Sequence, residues 1–274
     1  DGDANMMPEW SYFQSTTKLA TLSHEQQFDA HWTAFFNAGV KSYERPVSMS
    51  NSNTSLLADG DGNFTGRFRE NVTLNASKSL KYYIGAGVRV HHDFGETKNE
   101  LVVGVDTAYA KNWSASSKTL ATIVGNLYGQ NRWAEPTYDH TPLRLSSKTV
   151  VSGISAVDTV NLFGDKLLLN IGLHHHSYKP YTYKNGDWSQ TASYNATCPT
   201  YGAVYKFTPQ LVLYANHAET FDCGTVVGTS YANAGELLPP SKVKSNELGL
   251  KYQNKDMIHT LAVFRSTNPS YLTT

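Results

Sequence analysis

His174, His175 and His176 are consecutive, and His91 and His92 form a second run. Imidazole is the commonest metal ligand among side chains, so the triplet invites a metal or haem reading. On an extended segment, however, successive side chains point to opposite faces, and three adjacent histidines cannot converge on one ion. His174 and His176 would share a face and could cooperate, but lining a polar surface is the plainer role, and His91 and His92 split across faces in the same way. Asp106 and Glu100 share a strand face, yet isolated acids on a polar face are ordinary. Cys198 and Cys223 lack zinc-like spacing. There is no nucleophile elbow, no phosphate-cradling glycine loop and no HExxH, and the glycines at 224 and 228 read as loop glycines. The sequence therefore predicts no catalytic residues, no metal site, no cofactor and no enzyme.

The elements around these residues have to be strands. The chain has 23 basic and 23 acidic residues, so no bulk field would draw it to nucleic acid. Tyr (17) and Gly (20) are abundant and aromatics reach 12%, a composition suited to pleated surfaces. No apolar run is long enough for a transmembrane helix, which leaves a membrane barrel open because barrel strands alternate. Asp1-Gly2-Asp3 is not a signal peptide: either one has been removed or the sequence starts inside a longer protein.

Period-2 alternation dominates. Trp32, Ala34, Phe36, Ala38 and Val40 share one face of 32–42, with Phe35 an apolar exception on the other. Leu80, Tyr82, Ile84, Ala86, Val88 and Val90 alternate with Lys81, Gly85, Gly87, Arg89 and His91, and the pattern returns in 99–111, 167–178 and 244–253. Less regular stretches at 15–23, 147–162, 199–207, 210–219 and 257–266 bring the expectation to about ten strands. Several exceed the usual five or six residues and match the roughly 9–11 needed to cross a membrane. Their connections alternate in length. Short ones fall at 24–30, 94–98, 163–166, 207–210 and 254–256, and long ones near 44–78, 113–146, 180–198 and 220–242. Compact soluble domains rarely carry several such loops, whereas transmembrane barrels put short turns on the periplasmic side and long loops outside. The predicted fold is all-β: an antiparallel, up-and-down transmembrane barrel segment spanning 1–274, with 64–78 inside a long loop. A passive porin or adhesin-type barrel and a soluble carbohydrate-binding β-sandwich remain alternatives.

More specific runs follow. LVLYANHAETF (211–221), then GTVVGTSYANAGELLPPSKVKSNELGLKY (224–252) and TLAVFRSTNPSY (260–271), together with DHTPLRLSS (139–147), VSGISAVDTVNLFGDKLLLNIGLHH (151–175) and PTYGAVYKFTPQ (199–210), resemble in order and spacing the barrel of TonB-dependent siderophore receptors. The resemblance is looser over 11–113. It implies import of a ferric siderophore, of hydroxamate type, across the outer membrane of a Gram-negative bacterium. The expected partners are the siderophore, TonB acting through a plug, and outer-membrane lipid and lipopolysaccharide. The family's plug is not found here, its final strand ends in an aromatic whereas this chain ends at Thr274, and its closed barrels have about 22 strands. The chain accordingly reads as an incomplete barrel from a longer receptor.

In such receptors, loop aromatics pack on the ligand. Tyr128, Trp133, Tyr138, Tyr181 and Tyr231 are the candidates, with Arg132 and Arg144 for an anionic complex. The plainer roles are interface girdles, loop packing and contact with lipopolysaccharide or solvent. A hairpin centred on Thr208-Pro209 places Cys198 opposite Glu219, with Cys223 just beyond in the loop. Maturation through an oxidising periplasm then predicts a Cys198–Cys223 disulfide.

Overall fold

The computed structural model describes residues 7–129, 131–139, 142–222, 227, 232, 238 and 241–268. They form twelve strands: β1 (Thr16–Gln27), β2 (Trp32–Ala58), β3 (Phe64–Phe94), β4 (Thr97–Ser114), β5 (Lys118–Asn126), β6 (Arg144–Leu162), β7 (Leu167–Lys184), β8 (Asp187–Gln190), β9 (Tyr194–Lys206), β10 (Leu211–Asp222), β11 (Ser241–Gln253) and β12 (Ile258–Thr267). One antiparallel sheet runs β1-β2-β3-β4-β6-β7-β9-β10-β11-β12, with β5 paired to β3 and β8 to β7. The ten strands of that path are the ten that the alternation predicts.

Three of the short connections are closed by side chains that accept backbone N–H groups, at Asp29, Thr208 and Asn254. Asp29 Oδ1 accepts from His31 and Trp32 at 2.7 and 2.9 Å, and Asn254 Oδ1 accepts from Asp256 and Met257 at 2.9 and 2.8 Å. The 163–166 turn places Phe163, Gly164 and Asp165 in the left-handed region. An Asn185-Gly186 turn, also left-handed at both residues, folds β8 back on β7. That dipeptide is a strong hairpin signal which the reading of 180–198 as a loop passed over.

The sheet is two-faced. Ile84, Val105, Ile154, Ile171, Leu248 and Val263 lie on one side and are all more than a third exposed, uncovered by any second sheet. A soluble sandwich would bury this face; a transmembrane barrel turns it to lipid. The other side carries glycines and polar groups. Phe35, the exception in β2, lies there over a gap: a Cβ on Gly87 would meet its Cζ and the Val103 carbonyl oxygen, each at 2.4 Å. Missing side chains thus leave room for the Phe35 ring.

The chain's best-buried core sits beyond the barrel rim. Residues 44–58 and 64–78, expected as loop, continue β2 and β3 as a long hairpin, with register shifts after Arg45, Ser52 and Leu57. Strand parity is preserved because 64–78 belongs to the same strand as 80–94. β5 adds to this hairpin from inside the 113–146 connection. Phe68, Glu70, Val72 and Leu74 are buried on alternate positions, and Met49 and Ile123 join them. Trp10, Trp133 and Tyr138 pack against this cluster.

Candidate functional site

The polar face and the outer lobe are the two places where these strands present chemistry. On the polar face, Asp106 pairs with Gly153, and Gly153 with His176, across β4, β6 and β7. The missing side chain at 153 lets His174 Nε2 come within 3.3 Å of Asp106 Oδ1. His174 stacks on His176 at 3.8 Å, and His176 on Phe221 at 5.6 Å. Tyr178 meets Phe221 edge-on at 6.1 Å. His175 points the other way, to Thr197 Oγ1 at 2.9 Å, as the alternation required. Nearer the short turns, Arg89 lies 3.7 Å from Glu25 and 4.0 Å from Glu100, which also lies 3.5 Å from His91. Among the described residues no group of three or more His, Cys, Asp or Glu could hold a metal ion.

The lobe gathers three of the nominated aromatics. Trp133 donates its indole N–H to the Val124 carbonyl at 3.1 Å and packs edge-on to Phe68. Its own carbonyl accepts the Trp10 indole N–H at 2.9 Å. Gly125 makes room below, since a Cβ there would lie 2.4 Å from Phe68 and 2.8 Å from Trp133. Tyr138 packs on the same core, and its hydrogen bond with Tyr12 pushes its phenol above the ordinary range. Tyr128 is 75% exposed, with its ring edge above Gly66, whose φ of +75° suits glycine. Trp133 and Tyr138 thus have packing roles, while Tyr128 offers its ring to solvent.

The other candidates are dispersed. Arg132 is exposed in the same loop, and Arg144 is exposed where β6 begins, opposite Ser114. Tyr181 sits on β7, with the Lys148 ammonium 4.5 Å from its ring centre and Trp188 beside the same ammonium at 4.6 Å. Trp188 and Lys148 were not singled out from sequence; the Asn185-Gly186 turn was the signal that could have placed Trp188 against β7. Tyr231 lies outside the described residues.

Cys223 also lies outside them. Cys198 is buried, 3% exposed, and pairs with His174 on β7. Its expected position opposite Glu219 is off by one residue. Thr200 pairs with Ala218, which carries Cys198 toward Thr220. Phe207 N–H donates to Leu211 O at 3.0 Å, while Thr208 Oγ1 caps Gln210 and Leu211, so the turn is centred on Pro209 and the register slips.

The family model described as "TonB dependent receptor-like, beta-barrel" matches residues 2–274. The ferrichrome receptor FcuA of Yersinia enterocolitica is 25% identical over 296 residues, covering 98% of this chain and 37% of that protein. Among solved structures, BauA, the ferric preacinetobactin receptor of Acinetobacter baumannii, superposes with a TM-score of 0.84 at 24% identity, over 98% of this chain and 40% of its own. Fiu, the ferric-catecholate import receptor of Escherichia coli K12, gives 0.70 at 16% identity, over 94% and 41%. The chain spans about two fifths of the length of these relatives.

Proposed function

Because this chain belongs to the TonB dependent receptor-like β-barrel family, with its strands in the outer membrane of a Gram-negative bacterium, we propose that it serves energised import of a ferric siderophore. The observation that carries the reading is the near-complete alignment of the chain with a ferrichrome receptor. The two-faced sheet suits it: an apolar face for lipid, a polar one for an aqueous interior, and a folded lobe at the outer rim. Ferrichrome is a hydroxamate, which favours that siderophore class for this chain as well. Energy arrives through TonB, acting on a plug held inside the barrel. No side-chain metal site is needed, because the iron travels chelated by the siderophore.

Within the lobe, exposed Tyr128 and Arg132 are the residues proposed to meet the ligand. Trp133 and Tyr138 shape the surface that presents them.

The test is uptake of 55Fe-labelled ferrichrome by cells that carry the full-length gene as their single receptor, with and without TonB. Uptake that requires TonB and saturates with ferrichrome supports the reading. Uptake that continues undiminished without TonB identifies a passive pore instead.

A further inference from the structure

The polar face of the sheet carries a pair of cations near its outer end. Leu19, Lys41, Lys81, Ala110 and Thr149 form one continuous cross-strand row over β1, β2, β3, β4 and β6. The row shares its face with Gly85, Gly87 and Asp106 and lies toward the end away from the short turns. Lys41 and Lys81 are direct partners, and like charges so placed repel. Among the described residues neither has a carboxylate within 4.0 Å. Arg89, nearer the short turns on the same wall, is by contrast matched by Glu25 and Glu100, and Asp106 turns across Gly153 to His174. The two ammonium groups are therefore held together without a counter-charge.

Beside them the wall is hollow. Gly39, Ala108 and Ala110 offer little or no side chain, and a groove of about 610 Å³ runs over them. A Cβ added at Gly39 would meet nothing closer than 3.7 Å, so no neighbour fills this floor. Leu19 and Tyr83 border the groove and are 67% and 45% exposed, which gives it apolar sides. The Tyr83 ring leans over Gly85, where a Cβ would lie 2.6 Å from its hydroxyl oxygen, so the ring lies along the wall and leaves the groove open. A concave site of this size, partly apolar with a few polar groups at one place, suits a small organic ligand. The lysine pair selects negative charge in that ligand. A plain ferric trihydroxamate supplies none, because its hydroxamate anions balance iron(III).

From this arrangement we infer that the groove binds a ferric hydroxamate that carries free carboxylates. The carboxylates meet Lys41 and Lys81, and the apolar part of the carrier lies along Leu19 and Tyr83. The inference rests on the import reading and narrows the cargo within it: the two lysines select by charge among complexes that share one iron cage.

The full-length protein in detergent micelles is titrated with ferrichrome and with ferrichrome A, an analogue with the same hydroxamate cage and added free carboxylates. Quenching of tryptophan fluorescence reads the binding. Three variants are compared with the wild type: K41Q/K81Q, the charge-preserving K41R/K81R, and K111Q/K148Q. The last removes an equivalent cross-strand lysine pair from the opposite face. The wild type is expected to bind ferrichrome A at least about tenfold more tightly than ferrichrome, with a preference that shrinks as salt is raised. K41Q/K81Q brings the two complexes to within about twofold by weakening ferrichrome A alone, while the other two variants keep the preference. Equal binding of both complexes by the wild type overturns the site. So does an undiminished preference in K41Q/K81Q, which is the result if acidic side chains elsewhere in the whole receptor already neutralise the lysines. Loss of the preference in K41R/K81R or K111Q/K148Q overturns it as well. Retention of the heat-dependent shift in electrophoretic mobility shows that each variant is folded. Binding of neither complex counts against the import reading and takes the site with it, whereas equal binding of both strikes only the site.

Discussion

Asp106 and His174 meet at 3.3 Å across an intervening strand because residue 153 between them is glycine. A Cβ at Gly153 would lie 2.5 Å from His174 Nε2 and 2.9 Å from Asp106 Oδ1. His174 Nε2 is enclosed and makes no aligned hydrogen bond, so the contact is one of proximity. Gly153→Ala pushes apart two side-chain tips that can swing aside, and its expected cost is below about 1 kcal/mol. Gly87→Ala, by contrast, drives a methyl into the Val103 carbonyl and the Phe35 ring, and is expected to cost about 1–3 kcal/mol. Urea titration of both variants in lipid checks the order; a Gly153→Ala loss exceeding that of Gly87→Ala contradicts it.

Phe68 is fully buried in the outer lobe, against Trp133. Phe68→Ala is expected to remove about 3–5 kcal/mol of packing. The lobe has its own core beyond the rim, so the loss is local: hydrogen exchange accelerates across 64–75 and 118–126 but stays slow in 80–92. Uniform acceleration along the whole of β3 would show that lobe and barrel unfold together.

The β1–β2 turn depends on an ionised Asp29. Backbone N–H bonds from His31 and Trp32 hold its carboxyl below the usual 3.8. The stabilisation is present above that ordinary value and is lost as pH falls through the lowered one. Amide protection at His31 and Trp32 is therefore expected to be level from neutral pH down to about 4 and to decline below it. Asp29→Ala should show the low protection at every pH. A wild-type transition near pH 6 would point to a histidine instead.

Cys198 is buried within β9, opposite His174 of β7, and its bridge to Cys223, which lies outside the described residues, stays an expectation. Under denaturing, non-reducing conditions iodoacetamide should label neither cysteine, and after reduction it should label both. Two labels before reduction rule the bridge out.

Much of this was legible in sequence because it is local. Strand alternation depends on nearest neighbours, so Tyr82, Ile84 and Ala86 declare one face and Lys81, Gly85 and Gly87 the other without any knowledge of the sheet. The short turns, and the divergence of His175 from His174 and His176, follow from the same rule. What the tertiary structure alone decided depends on distant pairings. Trp10 bonds to Trp133 across 123 positions, and Phe68 finds Gly125 only when β5 returns to β3. Loop packing was the plainer reading of Trp133 and Tyr138 in the sequence; these pairings supply the partners they pack against. The row from Leu19 to Thr149 requires four successive registers to be correct, and a single residue at Pro209 shifted the register of Cys198. Composition and periodicity determine which faces exist; hydrogen-bond register, set by turns and bulges that carry little sequence signal, determines which residues share them.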